Sequence, residues 1–81
     1  MPQLTVNVPV ADKDAVMNDV HVKGAVAEAE EKLAGEGRVL LRKSGTEPVV
    51  RVMVEARGEN LCRTVAEDLA EVIRKRYRIE N

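Results

Sequence analysis

Residues 38–57 read RVLLRKSGTEPVVRVMVEAR, two apolar-rich segments separated by a short polar one. We predict strands at 38–42 and 49–57, joined as a β-hairpin, because β-rich runs separated by a Gly-containing loop favour that arrangement. Strand side chains alternate between two faces. One face is predicted to join the core: Val39, Leu41, Val50, Val52, Val54 and Ala56. The other is predicted to carry Arg38, Leu40, Arg42, Arg51, Met53, Glu55 and Arg57.

The segments on either side of this hairpin predict a third strand and two helices. Residues 4–10 alternate apolar and polar side chains, and the strand they predict should end at Pro9 or lie at an edge. Residues 11–19 are predicted to be a connection with room for a helical turn. Helical spacing predicts a helix over 18–34, followed by Gly35 and Gly37 as stop signals. Residues 60–77 predict the last helix, with an apolar stripe of Leu61, Val65, Leu69, Val72 and Ile73.

The order of these elements predicts a two-layer α+β fold, β-α-β-β-α. An antiparallel-rich sheet with both helices on one face lets every amphipathic element bury its apolar side. At 81 residues the chain is long enough for one domain with one core. With no Trp or Phe and a single Tyr, that core must be aliphatic.

Composition and charge argue against several classes of partner. The formal net charge is −1 and the sequence pI is about 5.8, which gives no reason to expect nucleic acid or an anionic membrane. No stretch is apolar enough to span a membrane. The single cysteine, Cys62, excludes an internal disulfide and fits a reducing compartment, so we expect a cytoplasmic protein. Positive charge concentrates in residues 38–57.

The polar segment at 42–51 has the residue types that a phosphate monoester requires. Arg42 and Arg51 offer planar groups suited to bidentate contacts. Ser44 and Thr46 add hydroxyl donors. Gly45 is expected to let the backbone turn successive N–H groups toward an anion. The residues alone leave a second interpretation open, because ordinary turns use the same residue types.

Glu47 counts against the phosphate interpretation, since a carboxylate beside a bound phosphate is repulsive. We therefore expect Glu47 to pair with Lys43 or with an arginine. His21 has no Cys or second His at ligand spacing, and Cys62 has no histidine nearby to activate it. The sequence thus predicts neither a metal site nor a catalytic residue.

Residues 37–55, GRVLLRKSGTEPVVRVMVE, resemble the signature of the last domain of the α-D-phosphohexomutases. The match is most similar to bacterial phosphoglucosamine mutases. Pro2-Gln3 and Asn7-Val8 resemble the opening of the same domain, so the resemblance covers nearly the whole chain. It implies a TATA-box-binding-protein-like fold, and a fragment, residues 1–81, that is the C-terminal domain of a four-domain enzyme.

The resemblance also implies a function. Such a parent enzyme interconverts glucosamine 6-phosphate and glucosamine 1-phosphate, on the route to UDP-N-acetylglucosamine and peptidoglycan. Its phosphoserine, its Mg²⁺ and its sugar-reading loop lie in the other domains. The last domain binds the substrate phosphate that is not being transferred, a role that falls here on Arg42, Ser44, Gly45, Thr46 and Arg51. The implied partners are a phosphosugar and the other domains, for which Leu40 and Met53 are a candidate contact.

Three alternatives remain open from the sequence. The same domain of a phosphomannomutase or phosphoglucomutase would differ in the sugar it serves. A stand-alone module would use the same loop for another phosphorylated ligand. A purely structural α+β domain would contain the loop as an incidental turn. The chain lacks the family's Asp-Gly-Asp metal motif and phosphoserine loop, so the isolated domain is expected to be non-catalytic and without a cofactor.

Overall fold

The computed structural model describes residues 1–78 as three strands and three helices. The elements in chain order are β1 Gln3–Pro9, α1 Lys13–Asn18, α2 Val20–Leu33, β2 Arg38–Lys43, β3 Val49–Glu55 and α3 Glu59–Tyr77. The predicted order is confirmed with one addition. The connection at 11–19 contains a six-residue helix, α1, whose first turn is capped by the Asp12 carboxylate, which accepts from the Ala15 N–H at 3.1 Å.

The three strands form one antiparallel sheet in the order β1-β3-β2. The β2–β3 hairpin is confirmed, and β3 is the central strand. β1 lies at an edge and ends at Pro9, so both predictions for the proline are correct. In the register, Val54 of β3 lies between Leu4 of β1 and Val39 of β2.

One face of the sheet is buried beneath the two long helices. Val50, Val52 and Val54 are fully buried, as is Ala56, which lies just beyond the end of β3. α3 packs on β1 and β3, and α2 packs on α3 and β2. Since fully burying a valine contributes about 1.5–3 kcal/mol, this aliphatic layer is the main source of stability. The predicted two-layer fold is confirmed.

The apolar stripe of α3 differs from the predicted one at two residues: Leu61 is exposed, and Val72 is only half-buried and lies outside the core. Leu61 is 38% exposed, whereas Cys62, Ala66 and Ala70 are buried beside Val65, Leu69 and Ile73. The stripe runs back from Val65 by three residues to Cys62 instead of by four to Leu61. The small side chains of Cys62, Ala66 and Ala70 let α3 lie close to the sheet. The Cys62 thiol donates to the Val54 carbonyl at 3.2 Å. Cys62 is therefore a buried packing residue.

Asp19 joins the beginning of α2 to the end of α3. One carboxylate oxygen accepts from the Val22 N–H at 2.9 Å and caps α2. The other accepts from the Tyr77 hydroxyl and, at 3.0 Å, from Arg76 Nε. The Tyr77 hydrogen bond, followed by that of Val22, holds the pKa of Asp19 well below its usual range. Part of the basic cluster that ends α3 thus has a structural role.

Candidate phosphate-binding site

Arg42 and Arg51 lie directly opposite each other across the β2–β3 ladder. Both are exposed on the face of the sheet that the helices leave free. On the other side of β3, Asn7 lies opposite Arg51 and its amide oxygen accepts from Arg51 Nε at 3.3 Å. The sequence places the two arginines nine positions apart, and the hairpin register makes them neighbours. A row of Asn7, Arg51 and Arg42 therefore crosses all three strands.

Neither Arg42 nor Arg51 forms an ion pair with a carboxylate anywhere in residues 1–78. Arg38 on the same face is paired with Glu55, and Arg57 is paired with Glu36. Like charges directly opposite on a sheet destabilise the pairing. Two adjacent guanidinium groups without a carboxylate are thus arranged to attract an anion.

The loop between the two arginines is closed by its own hydrogen bonds. The Ser44 N–H donates to the Val49 carbonyl at 2.9 Å, and the Glu47 N–H donates to Ser44 Oγ at 3.2 Å. The Ser44 hydroxyl therefore shapes the loop as an acceptor. Its own hydrogen stays available, because a hydroxyl donates and accepts at the same time.

Two successive backbone donors at the loop tip have no partner in the described part of the chain. No hydrogen bond there is donated by the N–H of Gly45 or of Thr46, and both residues are exposed. Gly45 has no positive φ, since Gly35 is the only described glycine with one, so the turn does not depend on a left-handed conformation at Gly45. A Cβ added at Gly45 would meet nothing within 4 Å. The glycine leaves open space above the two donors.

Helix α1 holds this loop through two adjacent residues, Lys13 and Asp14, which we call the α1 clamp. Lys13 Nζ donates to the Ser44 carbonyl at 2.6 Å and to the Glu47 carbonyl at 3.2 Å. Asp14 accepts from Lys43 Nζ, and this bond lowers the pKa of Asp14 from its ordinary value. Neither the α1 clamp nor Asn7 is predicted as part of the site from the sequence. The only signal was the charged run Asp12-Lys13-Asp14 in a segment predicted to be a connection.

The expected pairing of Glu47 is not observed. Lys43 is bound to Asp14 instead, and Glu47 forms no ion pair within residues 1–78. The physical reason is that α1 packs beside the hairpin and offers Lys43 a carboxylate from outside the loop. The Glu47 side chain is left exposed.

His21 and Cys62, the other residues considered for a chemical role, lie on helices α2 and α3 and not in this loop. His21 is exposed in the first turn of α2. Residues 1–78 contain no group of three or more His, Cys, Asp or Glu side chains placed to hold a metal ion. The Mg²⁺ that the resemblance implies for the parent thus finds no fitting ligand set in the described residues. None of the described helices has the length and apolarity needed to cross a membrane.

These features define a class, a two-layer α+β domain whose hairpin loop and adjoining arginines form an open, cationic, donor-rich surface. The family described as phosphoglucomutase/phosphomannomutase, C-terminal domain, matches residues 6–72. The chain belongs to this family.

Individual proteins and solved structures are also similar to the chain over nearly its whole length. The chain is 53% identical over 79 residues to a phosphoglucosamine mutase of Geobacillus thermodenitrificans, covering 98% of this chain and 18% of that protein. Among solved structures, a serine-to-alanine variant of Aspergillus fumigatus N-acetylphosphoglucosamine mutase with glucose 1,6-bisphosphate matches with a TM-score of 0.84 at 23% identity, covering 98% of this chain and 16% of that one. The same fungal enzyme in complex with GlcNAc-6P and magnesium matches at 26% identity, with a TM-score of 0.70 over 93% of this chain and 16% of that one. The chain therefore spans less than a fifth of each of these proteins.

Proposed function

We propose that residues 42–51 bind the phosphate group of a phosphosugar, as the C-terminal domain of a phosphoglucosamine mutase. Arg42, Ser44, Gly45, Thr46 and Arg51 supply the contacts. The observation that carries this proposal is the pair of arginines facing each other across β2 and β3, without a carboxylate partner in residues 1–78. The free N–H groups of Gly45 and Thr46 lie in the loop that connects them.

The chemistry of each contact matches a dianionic phosphate. The guanidinium groups offer paired donors, while the loop adds the Ser44 hydroxyl and two backbone N–H groups. Each hydrogen bond to a charged group contributes about 1.5–3 kcal/mol. Four or five such contacts gain about 6–15 kcal/mol in total. Association and ordering cost about 4–15 kcal/mol, which offsets most of this gain. Because 1 mM affinity corresponds to about 4 kcal/mol, we expect millimolar or weaker binding by this chain alone.

The parent enzyme in this proposal interconverts glucosamine 6-phosphate and glucosamine 1-phosphate in the cytoplasm. The phosphoryl-transfer group, the Mg²⁺ and the sugar-reading residues belong to its other domains. This chain binds and orients the phosphate that is not transferred. The name shared by its bacterial relatives supports phosphoglucosamine mutase over phosphomannomutase or phosphoglucomutase.

A titration of the 81-residue chain with inorganic phosphate, followed through its backbone amide NMR signals, tests the proposal. Perturbations should centre on residues 42–51, and Arg42→Ala should weaken binding by about tenfold or more, as loss of a charge-assisted contact implies. Arg63→Ala is the matched control, since Arg63 is exposed on α3 and forms no ion pair within residues 1–78. A flat response of the loop at high phosphate, or equal weakening by both variants, would overturn the site.

A further inference from the structure

The ammonium group of Lys13 lies against the inner side of the loop. It donates to the Ser44 carbonyl at 2.6 Å and to the Glu47 carbonyl at 3.2 Å, across 31 and 34 positions of sequence. Lys13 is half-buried, and it forms no ion pair within residues 1–78. The Lys13 ammonium group therefore donates to two neutral carbonyl groups and, within residues 1–78, to no carboxylate. Packing of a surface lysine does not by itself require this arrangement.

Peptide geometry connects this contact to the proposed donors. The Ser44 carbonyl and the Gly45 N–H belong to one planar peptide unit, in which they point in opposite directions when the bond is trans. No peptide bond among the described residues is cis. Since the Ser44 carbonyl points at Lys13, the Gly45 N–H must point away from Lys13, toward the exposed side of the loop.

The second carbonyl fixes the other end of the same turn. Glu47 precedes Pro48, which has no N–H, so the Glu47 carbonyl has no opposed donor in its own peptide unit. That carbonyl accepts from Lys13 and, at 2.8 Å, from the Val49 N–H. The loop is thus tied to Lys13 on both sides of Gly45 and Thr46.

We infer that Lys13 is a positioning residue of the phosphate site, which holds the 44–45 peptide in the orientation that presents the Gly45 N–H to an anion. This inference rests on the proposed function of the loop. Without the ammonium group, the 44–45 peptide is free to rotate, and its carbonyl would then face the incoming phosphate. Lys13 acts through the loop and does not itself touch the ligand.

The test compares Lys13→Met with the wild-type chain. Methionine keeps most of the aliphatic stem and removes the ammonium group. We expect the apparent Kd for inorganic phosphate to rise by about tenfold, the ratio that follows from losing one hydrogen bond to a charged acceptor. Lys13→Arg, which keeps a donor at this position, should restore part of the affinity. Lys23→Met is the matched control, because Lys23 is exposed on α2 and its side chain forms no hydrogen bond or ion pair within residues 1–78.

A second measurement separates positioning from simple loss of charge. The N–H residual dipolar coupling of Gly45 in the phosphate-free chain reports the orientation of that bond. It should change in Lys13→Met and stay unchanged in Lys23→Met, whereas a pure charge effect would alter only the affinity. Unchanged affinity, or weakened affinity with an unchanged Gly45 coupling, would overturn the positioning role.

The two proposals fail in different ways. If the wild-type loop does not respond to phosphate, the phosphate site itself is wrong. If the wild type responds and Lys13→Met responds equally, the site stands and Lys13 has no part in it. Well-dispersed amide signals outside residues 42–51 confirm that the variant is folded. If Lys13→Met loses these signals and is unfolded, Lys13→Arg tests the positioning role instead. In Lys13→Arg the Gly45 coupling must keep its wild-type value, because the arginine still supplies a donor to the loop carbonyls.

Discussion

Two glycine-containing turns of this small domain are built on different principles. The turn after α2, residues 34–37, is shaped by its own backbone: Ala34 has φ 52° and ψ 39°, and Gly35 has φ 78°. The loop at 44–48 has no residue with positive φ, and is held by the α1 clamp, Lys13 and Asp14, from outside. The conformation of the turn at 34–37 is set by its own backbone angles, whereas the loop at 44–48 depends on contacts with α1, a helix distant in sequence.

The glycines themselves show the difference most clearly. A Cβ at Gly37 would lie 2.2 Å from the Glu55 carbonyl oxygen, whereas a Cβ at Gly45 would meet nothing within 4 Å. Gly37 is therefore required for close packing of two backbone segments. Gly45 leaves space that a ligand can enter.

Replacing Gly37 should have the largest effect on stability. In Gly37→Ala the new methyl group meets the rigid backbone at Glu55 and Ala56, so the end of the hairpin must shift. We expect the free energy of unfolding to fall by about 3 kcal/mol, measured by urea denaturation. Gly24→Ala is the control, because a Cβ at this position in α2 meets nothing within 4 Å. The free energy of unfolding of Gly24→Ala should rise by about 1 kcal/mol. A Gly37→Ala variant as stable as the wild type would remove the distinction between the two turns.

Ala34 should show the opposite response to substitution. A left-handed conformation costs a non-glycine residue about 1–2 kcal/mol, and the greater flexibility of glycine in the unfolded chain offsets about 0.4–1 kcal/mol of that. Ala34→Gly should therefore raise the free energy of unfolding by about 0.5–1 kcal/mol. Ala27→Gly, at an exposed interior position of α2, should lower it by about 1 kcal/mol. Denaturation curves in which both variants shift in the same direction would contradict the assigned strain.

The same contrast explains what the sequence could predict. Gly35 and Gly37 predict the end of a helix correctly because that signal is local in the sequence. The faces of β3 followed from strict alternation, and the Val50, Val52 and Val54 layer is buried as predicted. Leu61 was misplaced because helical spacing allows steps of three and of four, and only packing against the sheet favours Cys62 over Leu61.

The support of the loop could not be predicted in this way. The contacts of Lys13 with the loop span 31 and 34 positions, and no local pattern encodes them. Glu47 was predicted to pair with Lys43 or with an arginine, whereas Lys43 pairs with Asp14, 29 positions away. Side-chain pairing depends on how α1 packs beside the hairpin. The phosphate role assigned to residues 42–51 stays a prediction until it is measured.

Lowering the pH should weaken the contact between Asp14 of the α1 clamp and Lys43 of the hairpin. The hydrogen bond from Lys43 lowers the pKa of Asp14 below its ordinary value of 3.8. A carboxyl group whose pKa is lowered by folding adds stability above its unfolded pKa, and this contribution is lost as pH falls through the folded pKa. The Asp14 carboxyl carbon should therefore titrate below pH 3.8 by NMR, and amide signals of residues 43–47 should contain a component with the same midpoint.

Asp14→Asn is the control for this titration. It should abolish that component in the loop amides while leaving the amides of residues 34–37 as they are in the wild type. Both Asp14 and Lys43 are more than half exposed, so we expect a local response with little change in global stability. A wild-type loop whose titration is unchanged in Asp14→Asn would show that Asp14 does not hold it.

Gly45→Ala should have the smallest effect on stability. It tests directly whether Gly45, unlike Gly37, leaves space for a ligand and has no role in backbone packing. The position has open space and no positive φ, so alanine fits without strain, and reduced freedom of the unfolded chain should add about 0.4 kcal/mol. Phosphate affinity should nevertheless fall, because the methyl group occupies space beside the free N–H groups of Gly45 and Thr46. Parallel denaturation and phosphate titration of Gly45→Ala measure the two effects separately. A variant that binds phosphate as the wild type does would mean that the ligand approaches elsewhere, whereas a destabilised one would mean that Gly45, like Gly37, serves the backbone.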